Sequence, residues 1–113
     1  NRLIFLRNAM ANHEVYIAKY YLKRGAFLAS SERAKYMLET YPGAPASKDA
    51  LIVLIDSYNK LGSAELALET AEVLTTNYDN YEYTINENKL ITIQNKNIAT
   101  VDDEDSFFDF NLF

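Results

Sequence analysis

Up to residue 77, apolar side chains recur at the spacing of helix faces, with polar residues between them. Positions 3, 6, 10, 17, 18, 21 and 22 predict a long helix over 3–24, stopped at Gly25, which suits the left-handed turn after a helix end. A second helix is predicted over 27–39, with Phe27, Ala34, Met37 and Leu38 facing inward and Tyr41 packing just beyond its end. Pro42-Gly43-Ala44-Pro45 breaks it. The third begins near Ala46 and sets Leu51, Leu54, Ile55, Tyr58 and Leu61 on one stripe, and Gly62 ends it. Ser63 then fits the N-cap of a fourth helix, Glu65 falls in its electropositive first turn, and Leu66, Ala67, Ala71 and Leu74 form its inner side.

From Tyr78 onward the period changes. Residues 81–85 and 90–93 alternate and are rich in β-branched and aromatic side chains, which predicts a short hairpin over 81–93 with a polar connection at 86–89. A two-stranded hairpin standing alone is marginal in water, so this one needs support. An acidic run, Asp102 to Asp105, and an aromatic end, 106–113, follow.

The helical part repeats itself. Tyr21, Lys23, Gly25, Glu32, Ala34 and Tyr41 recur 37 residues on as Tyr58, Lys60, Gly62, Glu69, Ala71 and Tyr78. A recurrence of this length with glycine between two helices each time is the mark of a helix-turn-helix solenoid, whose units bury their apolar faces by stacking. The expected fold class is therefore all-α, a solenoid of two helical hairpins over 1–78. An irregular or short β-hairpin tail, acidic and aromatic, occupies 79–113. Function is then to be sought on surfaces, and the chain reads as a binding scaffold.

Composition narrows the partners. At 113 residues and 49% hydrophobic content the chain suffices for one small core. Residues 1–78 hold nine Lys or Arg against eight Asp or Glu, net +1, and residues 79–113 hold two against eight, net −6, which together give the overall −5. No clustered basic face is in prospect, which argues against nucleic acid as the main partner. Cysteine is absent, so neither a disulfide nor a thiolate metal site is expected. No apolar run approaches the roughly 20 residues of a bilayer span. No signal peptide precedes the first helix, and the chain opens on Asn1, so it is read as a processed or truncated piece of something longer.

The spacing from Gly25 to Pro42 resembles that of the tetratricopeptide repeat, with Tyr20-Tyr21 before the glycine and Phe27 two after it. The second copy has Asp79 where the first has proline, and the 37-residue period exceeds the usual 34. More narrowly, several strings together resemble the C-terminal half of the BamD family of outer-membrane β-barrel assembly lipoproteins. They are Phe5-Leu-Arg-Asn8, Asn12-His-Glu14, Ala18-Lys-Tyr-Tyr-Leu-Lys-Arg-Gly-Ala26, Glu32-Arg-Ala34, Tyr41-Pro42, Asp49-Ala-Leu51 and Tyr58-x-x-Leu-Gly62. The resemblance implies a non-catalytic adaptor on the periplasmic face of the outer membrane, anchored by lipid on an N-terminal cysteine that this sequence lacks. It implies as partners the BamA insertase, through its last POTRA domain, together with other assembly-machine lipoproteins and unfolded outer-membrane proteins. It also singles out Arg33 as a basic position on the helix facing the POTRA domain, where Arg can meet a carboxylate bidentately and Lys cannot.

Other conspicuous residues have plain readings. His13 has no second His or Cys beside it, and Glu65, Glu69 and Glu72 lie on helical spacing as a solvated outer face. Asp102 to Asp105 lacks the alternating ligands and central glycine of a calcium loop. Tyr16, Tyr20, Tyr21 and Tyr36 are expected mostly in the core. No acid and base pair, nucleophile or cofactor signature is present, so neither an enzyme nor a bound cofactor is expected. A generic repeat module that clamps the C-terminal carboxylate of a client peptide is the alternative function. It would draw on Lys19, Lys23 and Asn59, which form no repeated pattern. In the tail, Phe108, Phe110 and Leu112 alternate with Asp109 and Asn111 and the chain closes on Phe113, similar to the targeting signal at the end of outer-membrane barrel proteins. Docking of 106–113 as an extended strand on a groove or sheet edge is one reading of this end. Covering the exposed end of the last repeat is the plainer one.

Overall fold

The computed structural model describes residues 1–96. Four helices, α1 (Arg2–Lys23), α2 (Phe27–Thr40), α3 (Ser47–Leu61) and α4 (Ala64–Asn77), precede an antiparallel pair of strands, β1 (Tyr81–Ile85) and β2 (Ile91–Asn95). α1–α2 and α3–α4 are helical hairpins stacked as a solenoid, with α3 touching both helices of the first hairpin.

The 37-residue period is written in the backbone hydrogen bonds. At the two bends, Ala26 N–H donates to Tyr21 C=O and Ser63 N–H to Tyr58 C=O, both at 2.9 Å, across Gly25 (φ +84°) and Gly62 (φ +80°). That six-residue closure around a left-handed residue is the Schellman arrangement, and glycine adopts it without a Cβ penalty. At the far ends, Tyr41 N–H closes on Met37 C=O and Tyr78 N–H on Leu74 C=O, at 2.8 and 2.9 Å. Ala44 N–H to Tyr41 C=O is repeated by Tyr81 N–H to Tyr78 C=O.

Small residues set the spacing between helices. Ala11, Ala18, Ala34, Ala50, Ala67 and Ala71 are fully buried, letting backbones approach. Ser30 on α2 donates to the Ala18 carbonyl of α1 at 2.7 Å, and Ser57 of α3 reaches Ser30 Oγ at 3.2 Å, a buried hydroxyl chain through three helices. In a dry core such hydroxyls need partners, and these supply one another's. The predicted single stripe on α3 is instead buried all round over Ala50–Ile55, since α1, α2, α4 and β2 all pack on that helix.

Several expected core positions lie outside. Leu3, Leu6 and Met10 are exposed, and the inner side of α1 is Ala11, Val15 and Ala18. α1 has 22 residues and α2 has 14, or about 33 Å against about 21 Å. The end of α2 is met at Arg7, whose guanidinium donates to the Pro42 carbonyl, so the first turn of α1 overhangs its partner. Tyr16, Tyr20 and Tyr36 are also exposed and Tyr21 half-buried, because they sit off the lines that α1 and α2 turn toward each other. Leu61 stands at the bend, Leu66 lies about 100° around α4 from Ala67, and both are exposed. Ser63 occupies the cap position of α4 with no side-chain cap bond.

The hairpin is present with its second strand shifted: β2 runs over Ile91–Asn95, and Leu90 belongs to the turn. Asn86 is the reason, since its side-chain oxygen accepts from both Asn88 N–H (2.8 Å) and Leu90 N–H (2.9 Å). The pair is not left alone in water. Tyr81 and Ile91 are buried, with Tyr83 and Ile93 packed beside them, so the hairpin closes the end of the solenoid over α3 and α4. Phe108, Phe110, Leu112 and Phe113, with the acidic run 102–105, lie outside the described residues.

Candidate partner-binding surface

Arg33 sits on α2 facing α1. Its Nη1 donates to Glu14 Oε1 at 2.9 Å, and its guanidinium lies 5.8 Å from the ring centre of Tyr36, one turn along α2. The Glu14 side chain is 15% exposed and that of Arg33 38%, so Glu14 is largely covered while part of the Arg33 side chain still meets solvent. A carboxylate and a ring together hold the side chain in one pose, and a guanidinium so held keeps donors for a second acceptor. The sequence singled out Arg33 but not Glu14, 19 positions earlier, as its partner. No local spacing announces a contact between two helices.

The residues needed for a carboxylate clamp are not gathered. Lys19 is buried on α1, with its Nζ 3.8 Å from Asp49 Oδ2 on α3. Burial pushes its ammonium below the usual lysine range, and Asp49 opposes that shift. Asn59 is engaged elsewhere: its Nδ2 donates to Ile91 C=O at 2.8 Å and its Oδ1 accepts from Ile91 N–H at 3.2 Å. Asn59 thus pairs with β2 as a neighbouring strand would. His13 is exposed on α1, and among the described residues no three His, Asp or Glu stand together as a metal site. Asp56 on α3 is pushed above the usual carboxylate range by burial, with Lys60 pulling the other way.

Exposed apolar side chains gather on the N-terminal part of α1, where Leu3, Ile4, Phe5, Leu6 and Met10 are open to solvent. No helix of the described residues is long and apolar enough to cross a membrane. The arrangement offers a basic, aromatic-backed position on α2 and an apolar rod end on α1, and both are features of protein contact.

Residues 1–74 match the model of the outer membrane lipoprotein family YfiO. The chain belongs to that family. The match takes in α1, α2, α3 and most of α4, so the paired Arg33 and Glu14 lie inside it and the β-hairpin lies beyond it. Among curated YfiO-like relatives, the outer membrane protein assembly factor BamD of Xylella fastidiosa is 43% identical over 72 residues, 64% of this chain and 25% of that protein. The BamD of Haemophilus influenzae is 36% identical over 78 residues, 69% of this chain and 30% of that protein. The BamD of Neisseria meningitidis is 36% identical over 77 residues, 68% and 29%. The chain spans between a quarter and a third of the length of these relatives. Membership of YfiO associates this helical solenoid with the outer membrane.

Proposed function

We propose that this chain is part of a non-catalytic adaptor of the outer-membrane β-barrel assembly machinery, acting at the periplasmic face of the membrane. Its repeats correspond to the C-terminal half of the adaptor and dock on the last POTRA domain of the barrel insertase. The observation that carries this reading is the match of both helical hairpins to a family whose relatives are named assembly factors. Other assembly-machine lipoproteins and unfolded outer-membrane proteins are the further partners, and lipid anchoring belongs to the longer protein.

Arg33 is the residue proposed to carry the POTRA contact. Its support is geometric: a guanidinium fixed by Glu14 and Tyr36 has little rotamer freedom left to lose on binding a partner carboxylate. The test is co-purification and calorimetric titration with the POTRA segment, beside an unrelated control domain. Arg33→Glu should weaken binding by at least about tenfold, the order expected for truncating a buried charge contact. Unchanged affinity would remove Arg33 from the interface, and no binding by the parent chain would remove the adaptor reading itself. A circular dichroism spectrum of the variant separates lost contact from lost fold.

A further inference from the structure

The β-hairpin lies beyond the family match, and among the described residues its β1 edge is bare. Asn86 N–H donates to Leu90 C=O and Lys96 N–H to Asn80 C=O, so the even-numbered residues of β1 are the ones bonded to β2. Tyr81, Tyr83 and Ile85 therefore turn their backbone groups outward. Tyr78 C=O takes the Tyr81 N–H, whereas no hydrogen bond from the described residues reaches the outward groups of Tyr83 or Ile85. The other edge is closed at Ile91, whose two backbone groups are held by Asn59.

Beside the bare edge a cleft of about 450 Å³ opens between α4 and β1, lined by Thr75, Asp79, Tyr81, Glu82, Tyr83 and Lys96. Its lining is polar, with two carboxylates against one ammonium. Among the described residues neither Asp79 nor Glu82 makes an ion pair. The Tyr81 ring already has a cation beside it, Lys48 Nζ at 5.8 Å from its centre, while the half-buried Tyr83 ring has none among the described residues. What such a setting accepts is visible elsewhere in the same molecule, where Arg33 lies between the Glu14 carboxylate and the Tyr36 ring.

We infer that the β1 edge docks an extended, arginine-bearing peptide of a partner protein, its main chain adding a third strand and an arginine side chain entering the cleft. Main-chain bonds to Tyr83 and Ile85 supply affinity without regard to sequence, and the cleft supplies the selection. Arginine suits it, because a planar guanidinium stacks on the Tyr83 ring and meets the Asp79 or Glu82 carboxylate with paired donors, which lysine cannot do. A second copy of the chain offers the wrong charge. It would bring its own residues 79–113, two lysines against eight acids, to an edge already acidic.

Titration of the full chain with a blocked peptide alternating arginine and threonine, followed at the backbone amides by NMR, tests this. The Tyr83 and Ile85 amides should shift and exchange at least about tenfold more slowly with the peptide present, while Thr84 and Thr92, inside the β1–β2 ladder, change little. A glutamate version of the peptide should bind at least about tenfold more weakly, and a lysine version less tightly than arginine. Asp79→Asn and Glu82→Gln should each weaken the arginine peptide by about two- to fivefold, the order of an exposed ion pair. Ile85→Pro removes one outward N–H at a position where an edge strand accepts proline, and it should weaken binding while Thr92 stays protected. Should Thr92 lose protection too, the amides of the parent chain decide alone. The acidic run 102–105 also attracts a basic peptide, so binding that leaves the Tyr83 and Ile85 amides unmoved overturns the proposal. Equal binding of the glutamate or lysine version overturns it as well. So does slow exchange at Tyr83 and Ile85 without peptide in a chain that light scattering finds dimeric, which would place a second copy on the edge.

Discussion

Asn59 commits its whole side-chain amide to one residue of β2, donating to and accepting from Ile91 as a strand would. Removing it leaves a half-buried backbone donor and acceptor with no partner, and an orphaned buried polar group costs about 1–3 kcal/mol. Asn59→Ala should therefore lower stability by that order in urea denaturation. It should also raise the exchange rate of the Ile91 amide ahead of the helical amides, because the loss falls first on the hairpin. Asn59→Asp keeps the acceptor but sets a carboxylate oxygen against the Ile91 carbonyl, so it should not rescue. Arg33 and Glu14 show the same lesson at a surface, where a single side chain is defined by what another helix brings to it.

Among elements, the hairpin is held at three points: Tyr81 and Ile91 in the core, Asn59 on the β2 edge, and Asn86 in the turn. Its weak point is Lys89, which adopts φ +67°, a left-handed conformation that costs an L-residue about 1–2 kcal/mol. Glycine removes that cost at some loss of unfolded-state entropy. Lys89→Gly should then stabilise the chain by about 0.5–1 kcal/mol, read as a higher urea midpoint with unchanged slope. A lower midpoint would mean that the lysine side chain itself holds the turn. In the helical hairpins Gly25 and Gly62 already occupy the corresponding left-handed positions, and no such gain is available there.

For the molecule as a whole, two charges, the half-buried Asp56 and the buried Lys19, tilt stability with pH in opposite directions. Asp56 titrates above the ordinary carboxylate value of 3.8 because burial disfavours its charge. Between that value and its raised folded one, the folded state holds more protons than the unfolded state. Stability is therefore lost as pH rises through this window. Lys19, pushed below 10.5 by burial, binds fewer protons when folded, so stability grows as pH climbs from its lowered value toward 10.5. Asp56→Asn should raise the melting temperature at neutral pH and lose that advantage in acid below the window. A variant less stable than the parent at neutral pH would show that Lys60 outweighs burial at this site.

Four helices, both glycine bends, a hairpin beginning at Tyr81 and the repeat that makes a solenoid were legible from the sequence, because local spacing and left-handed turns are fixed by residues near one another in the chain. The faces of those helices were less legible. Leu3, Leu6 and Met10 follow helical spacing yet remain outside: Leu3 and Leu6 precede Arg7, where the end of α2 meets α1, and Met10 lies about 100° around the helix from the buried Ala11. On α3, packing by α1, α2, α4 and β2 buries Ala50–Ile55 all round, where the local period showed a single stripe. The start of β2 was displaced by a local feature, the Asn86 side chain that takes Leu90 N–H into the turn. Arg33 was singled out by sequence, but its pairing with Glu14 was decided by the packing of α1 on α2. Sequence by itself determined the elements and the family strings they carry. Tertiary structure decided which surfaces those elements cover and which they leave open, because contact between distant segments depends on relative length and docking angle, and neither is encoded in a local period.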